Sequence, residues 1–87
     1  MANIASARKR ARQATHRRSA NMAQRSALRT SLRLVTRAIA AGDREAASAA
    51  FRQAVPVIDN AVSKGLIHRN KADRQKSRLN RHIRALA

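Results

Sequence analysis

The side chains with the most chemistry to offer in this 87-residue chain are its cations. Lysine and arginine number 20 against four acids, which gives a formal net charge of +16. Most of them are arginines, whose planar guanidinium groups make paired hydrogen bonds to phosphate. A nucleotide bias in the source genome would also favour Arg over Lys, so that ratio does not decide the partner. The near absence of acids does indicate a polyanion, because internal salt bridges cannot neutralise such an excess.

The other reactive side chains form no catalytic or metal-binding pattern. The histidines His16, His68 and His82 lack the i, i+4 spacing of a zinc-binding helix. The absence of cysteine removes thiolate ligands, disulfides and a cysteine nucleophile. Asp43 and Glu45, two positions apart, point in different directions on a helix. We therefore predict a protein that is not an enzyme, with no metal site, no cofactor and no small-molecule substrate.

Membrane and targeting roles fit the charge distribution poorly. Every window of about 17 to 25 residues contains Arg or Lys, so no membrane-spanning helix is predicted. Residues 1–41 are rich in Arg and Ser and contain no acid, as transit peptides do. The cationic bias returns near the C-terminus, however, where a cleaved leader cannot account for it. We therefore expect no leader.

Two glycines divide the chain into three helix-compatible runs. Gly42 and Gly65 each follow such a run, where a left-handed residue commonly ends a helix. Asp43 is placed to cap the second helix, and Asn70 with Asp73 resembles a capping box for the third. The predicted helices span about 6–40, 44–64 and 71–86.

Each predicted helix has one apolar face, which favours an all-α, three-helix bundle. Pro56 interrupts the second helix, and we prefer a bend there to two pieces because the apolar period continues across it. β-Branched residues never alternate over a useful length, so no strand is expected. The predicted core positions are Leu28, Leu32, Val35, Ile39, Ala47, Ala50, Phe51, Ala54, Ile58, Ala61, Val62, Ala72, Leu79, Ile83 and Leu86.

The chain before Met22 has no apolar face, because its cations are distributed all round the helix. We therefore divide the single domain into a basic extension at 1–21 and a bundle at 22–87. The extension should overhang the bundle by about 20 Å. Its charge density predicts that it is poorly ordered alone and becomes helical when phosphates neutralise it.

Cationic stripes on the bundle face away from the apolar stripes. On the first helix Arg25, Arg29, Arg33 and Arg37 recur every four residues, about 110° from the core face. The third helix carries a similar stripe opposite its own core face. This second stripe consists of Lys71, Arg74, Arg78, Arg81 and Arg84.

The polyanion is better matched by folded RNA or duplex than by a single strand. Single-strand readers stack bases on exposed aromatic rings, whereas Phe51 is the only aromatic residue and lies on an apolar face. A helix that is basic on every side fits a crevice between RNA elements. The neutral polar residues expected to assist are Asn3, Ser6, Asn21, Asn70 and Ser77.

Three separated motifs make the chain resemble the bacterial small-subunit ribosomal protein family S-twenty. They are MANIxSAxKR at 1–10, AGD at 41–43, and GLIHRNKA at 65–72 leading into KSRL at 76–79. The resemblance covers the whole chain and implies a three-helix bundle that binds 16S ribosomal RNA directly and early in small-subunit assembly. It also implies a cytoplasmic location, in the small subunit among its other components. No membrane and no homo-oligomer are expected.

The resemblance assigns RNA contacts to both basic regions. Several positions hold Arg where relatives commonly carry Lys, and 15–24 is not distinctive, so individual contacts there stay open. The residues carried over are Asn3, Ser6, Arg8, Lys9, Arg10, Arg12, Arg17, Arg18, His68, Arg69, Asn70, Lys71, Arg74, Lys76, Ser77 and Arg78. The stripes add Arg25, Arg29 and Arg81.

Two other functions have the same composition. A protein that compacts DNA without sequence preference would be equally basic, but it should not prefer 16S RNA to duplex DNA. A cationic membrane-active helix would bury apolar residues such as Leu28 and Leu32 in a lipid surface, whereas the predicted bundle hides them. These alternatives separate by RNA competition and by vesicle binding.

Overall fold

Three helices make up the fold, as a computed structural model of the chain shows. The structure describes residues 2–86, and the side chains of residues 4–86. The helices are α1 (Ala2–Ala40), α2 (Arg44–Ser63) and α3 (Arg69–Arg84). The all-α prediction is confirmed. Within the described part of the chain no strand occurs.

The end of α1 and the start of α2 meet in one tight turn. Gly42 has φ +73°, and its N–H donates to the carbonyl of Ile39 at 3.0 Å, while the N–H of Asp43 donates to the carbonyl of Ala38 at 3.2 Å. These two bonds form a Schellman motif. Asp43 then caps α2, since its Oδ1 accepts from the N–H of Ala46 at 3.0 Å. Both sequence predictions for this turn are confirmed.

The second turn repeats this ending. Gly65 has φ +74°, and its N–H donates to Val62 O at 3.0 Å, while the N–H of Leu66 donates to Ala61 O at 2.9 Å. Leu66 also packs against the core, which is the apolar contact that commonly accompanies this motif. The turn is therefore anchored by backbone bonds and by a partly buried side chain.

The predicted start of α3 is wrong by two residues. His68, not Asn70, is the capping residue, because His68 Nδ1 accepts from the N–H of Asn70 at 3.0 Å. An imidazole nitrogen thus satisfies one of the free amides that begin a helix. The helix also ends at Arg84 rather than at residue 86.

The first helix begins at Ala2, four residues before the predicted start. Its opening residues, Ala2 and Ala5 among them, are good helix formers. Helix α2 is continuous across Pro56, which confirms one helix rather than two pieces. Since Pro56 is exposed, its ring lies away from the core.

The core is narrow because half of its buried positions are alanine. All of them lie on the predicted apolar faces, and Val35 and Ile58 are the largest side chains that are fully buried. Small side chains let helices approach closely, but they bury little apolar area. The buried residues are Leu28, Val35, Ala47, Ala54, Ile58, Ala61, Ala72 and Ile83. The other predicted core residues are partly buried against them.

The molecule is long and thin. Its principal extents are 68 × 22 × 14 Å and its radius of gyration is 17.9 Å, whereas a compact domain of this length would have a radius of gyration of about 12 Å. Helix α1 packs mainly on α2, and α3 also packs on α2 more than on α1. The extra length is therefore contributed by α1.

Candidate nucleic-acid interface

The first half of α1 contributes no side chain to the core of the described chain. Every residue from 4 to 23 is exposed, and Gln24 is the first that is half-buried. At about 1.5 Å per residue this segment is about 30 Å long, which exceeds the predicted overhang of about 20 Å. We call residues 4–23 the N-terminal rod. No apolar face holds it against α2 or α3.

The rod carries six cations and no acid. The first acidic residue of the chain is Asp43, in the turn at the far end of α1, so nothing within the rod can neutralise its charge. The cations point to several sides of the helix, as their spacing requires. They are Arg8, Lys9, Arg10, Arg12, Arg17 and Arg18.

A second group of cations lies at the same end of the bundle as the rod. Helix α2 runs antiparallel to α1, so Lys64, which caps the C-terminal end of α2, lies beside Gln24 and Ala27 of α1. The turn at 64–68 and the start of α3 follow immediately, with Arg69 and Lys71 exposed. The base of the rod and the first turn of α3 thus place their cations at the same end of the bundle, and we call this the basic region at the base of the rod.

Nearly all residues predicted to contact RNA are exposed. Asn3 lies outside the residues whose side chains are described. Lys76 is half-buried, and every other predicted contact residue is exposed. The structure brings those of the turn and early α3 near the base of the rod, whereas Arg81 lies toward the other end of α3. Exposure is necessary for such contacts, and the contacts themselves stay a prediction.

Lys76 differs from the other cations because it forms ion pairs with carboxylates of the same chain. Its Nζ lies 2.9 Å from Asp59 Oδ1 and 3.8 Å from Asp73 Oδ1. The hydrogen bond that Lys76 donates to Asp59 and the charges of both carboxylates raise the pKa of Lys76, against the opposing effects of desolvation and Arg69. In the described part of the chain these are the only ion pairs. A phosphate at Lys76 would have to compete with Asp59.

The histidines do not converge. His16 is exposed on the rod, His68 caps α3, and His82 lies in a groove with Leu32 and Thr36 of α1. Among residues 2–86 no group of three His, Cys, Asp or Glu side chains is placed to hold a metal ion.

Sequence reasoning missed two buried glutamine oxygens. Gln24 Oε1 in α1 and Gln75 Oε1 in α3 are buried without a hydrogen-bond partner in the described structure. Both residues flank the apolar face of their helix. Helical periodicity places such residues at the boundary between core and solvent, but it does not say which of their atoms are buried. Lys64 was also left out of the predicted set, although it precedes Gly65 in the basic turn.

The fold and the surface charge define the class of small, strongly basic, all-α proteins. No helix in the described chain has the length and apolar character needed to cross a bilayer. The family model for Ribosomal protein S20 matches residues 2–84, and the chain belongs to this family. Membership of a ribosomal protein family also confirms that the chain is not an enzyme.

Two similar proteins match this chain over nearly all or all of its length. One, from Thioalkalivibrio sulfidiphilus, is 64% identical over 86 residues, which are 99% of this chain and 100% of that protein. Another, from Methylococcus capsulatus, is 62% identical over 87 residues, which are 100% of this chain and 95% of that protein. Both are called small ribosomal subunit protein bS20.

Proposed function

We propose that this protein is a structural constituent of the small ribosomal subunit, that it binds 16S ribosomal RNA directly, and that it stabilises the RNA fold during assembly in the cytoplasm. Family membership supports the place in the ribosome. The contact with RNA is supported by one observation above the others: a helical rod of 20 residues that carries six cations and packs against no other part of the described chain.

The rod is suited to a space between RNA elements. An α-helix with its side chains is about 10–12 Å across, and here cations project from several sides. A single duplex face would satisfy only one side and leave the other charges in water. Phosphates on two or more sides would neutralise all of them, and this neutralisation offsets the repulsion that the rod has in isolation.

The second contact surface is the basic region at the base of the rod. His68 and Arg69 begin α3 there, and Lys71 and Arg74 continue along an exposed face. Together with the rod they would hold two separated RNA segments at a fixed distance, because α1 and α3 pack on the same helix. The proposed division is thus an RNA-inserted extension at 1–21 and a bundle at 22–87 that positions it.

Hydroxyl-radical footprinting of 16S RNA, with and without the purified protein, tests this function. We expect two protected backbone segments, one for the rod and one for the turn and α3. Binding should also weaken by roughly three to five powers of ten between 50 and 200 mM salt if six to ten phosphates are neutralised. No footprint, or equal competition by generic duplex DNA, would contradict the proposal and favour a DNA-compacting protein.

A further inference from the structure

A half-enclosed cleft opens between α1 and α2 at the base of the rod. Its volume is about 170 Å³, and its apolar walls are formed by Ala27 of α1, by Val57 and Ala61 of α2, and by Leu66 of the following turn. Pockets for drug-sized ligands measure about 300 Å³ or more. The cleft is therefore of a size for one small ring system.

Three polar side chains complete the lining. Lys64 and Asn60 are exposed at its rim, and Gln24 is half-buried on the α1 side. The carboxamide oxygen of Gln24 is buried and has no hydrogen-bond partner in the described structure. A buried acceptor without a donor is unfavourable, so a rotation of this side chain toward a donor in the cleft would be stabilising.

The chemistry of these groups restricts the occupant. A phosphate or a carboxylate cannot donate a hydrogen bond to Gln24, and an apolar side chain from another protein would leave the oxygen unpartnered. An unstacked nucleobase has a flat apolar face for Ala27 and Val57, together with an N–H edge for Gln24. Each of the four RNA bases carries such a donor.

We propose that this cleft binds one unstacked base of the RNA, an inference that rests on the proposed function. Lys64 at the rim would pair with the phosphate of the same nucleotide. The location supports RNA over a protein partner, because the cleft lies between the rod and the basic start of α3, where charge complementarity favours a polyanion. Insertion of one base there would fix the position of the rod along the RNA.

The experiment compares base-specific and backbone probing of 16S RNA bound to matched variants. Dimethyl sulfate and a carbodiimide report the base edges, and hydroxyl radicals report the backbone. In Ala27→Leu an isobutyl group fills the cleft while helix propensity is nearly kept. The control Ala49→Leu makes the same change at an exposed position of α2 outside the cleft. We expect Ala27→Leu alone to lose protection of one base while the backbone footprint remains.

A second variant tests the acceptor. Gln24→Leu removes the buried oxygen, so the free protein should melt at the same or a higher temperature, while its dissociation constant for 16S RNA rises about tenfold. A role of Gln24 in the bundle alone would instead lower the melting temperature and leave the base protections unchanged.

The outcomes separate the two proposals. A backbone footprint with identical base protections for the wild type and Ala27→Leu would overturn the base-binding cleft and leave the proposed function intact. Suppose that the amides around the cleft are protected from hydrogen exchange only in the assembled subunit, and not with RNA alone. The occupant would then be a protein, and the base-binding cleft would also be overturned. Absence of any footprint would overturn both.

Discussion

Lys76 Nζ lies 2.9 Å from Asp59 Oδ1 and so joins α3 to α2 across 17 positions of sequence. Within the described chain it is the only ion pair between helices. The pair is partly exposed, with the two side chains 30% and 54% accessible, so its contribution to stability is screened by water and salt. The pair is a marker of the register of α3 on α2, because its two residues meet only where that packing brings them together.

The pair predicts a pH dependence of folding at high pH. The pKa of Lys76 is raised in the folded state above its ordinary value of 10.5. The stabilisation is therefore complete below pH 10.5 and is lost as the pH rises through the higher folded-state pKa. Urea unfolding of the wild type and Lys76→Met across this range should show a difference that disappears at the alkaline end. The control Lys64→Met lacks such a partner, and an equal pH effect in that variant would contradict the assignment.

The two left-handed glycines predict a backbone cost without a steric one. A Cβ at Gly42 or Gly65 would meet nothing within 4 Å, yet φ is +73° and +74°. Alanine at either site should therefore lower the unfolding free energy by about 1 kcal/mol. Asparagine, which tolerates this conformation better, should lose less. Thermal melting measures the series, and equal losses for both substitutions would argue against the backbone explanation.

The His68 cap on α3 predicts that asparagine at this position restores most of the stability that alanine loses. His68→Ala removes the acceptor for the N–H of Asn70 and should cost about 1 kcal/mol. His68→Asn supplies a side-chain oxygen at the same position and should recover most of that loss. Melting temperatures of the three proteins decide it. Comparable destabilisation by Asn and Ala would show that the imidazole acts through packing instead.

The exposed rod predicts that RNA affinity and bundle stability separate. Replacing Arg8, Lys9, Arg10 and Arg12 with alanine removes four of the proposed phosphate ligands but no core contact, since each side chain is exposed. Binding to 16S RNA should weaken and its salt dependence should become less steep. The melting temperature should stay almost unchanged. A parallel fall in both would mean that the rod packs on the bundle.

The rod also predicts a local difference in amide protection. The structure gives its helical conformation, and the expectation that RNA is needed to hold that conformation stays a prediction. Without packing, residues 4–23 should exchange amide hydrogens much faster than the amides around Val35 and Ile58. Binding to 16S RNA should slow exchange in the rod. Strong protection in the free protein would refute the need for RNA.

The core could be predicted because it depends on a repeating pattern. Leu28, Val35 and Ile58 recur at helical spacing, and packing of apolar faces is insensitive to the detail of any one contact. The glycine turns can also be predicted from the sequence, because few residues other than glycine adopt a positive φ. These features follow from residue type and local spacing.

The errors concern features that local spacing does not determine. Histidine is not among the preferred capping residues, so residue type predicts a cap at Asn70, whereas His68 is the cap observed. The pairing of Lys76 with Asp59 requires the register of α3 on α2, which no periodicity supplies. The buried oxygen of Gln24 depends on how closely α2 and its following turn approach α1. The Lys76 pair and the Gln24 oxygen are tertiary relationships, whereas the His68 cap is a local bond made by an unusual residue type.

The two roles of Asp43, at the end of α1 and at the start of α2, restrict the orientation of α1 relative to the bundle. Because the same residue closes one helix with its amide and opens the next with its carboxylate, the corner contains no spare linker that could act as a hinge. The direction of α1 is thus fixed relative to α2 and α3. If the bundle docks on its target first, its orientation also determines the direction in which the N-terminal rod, some tens of ångströms long, approaches that target.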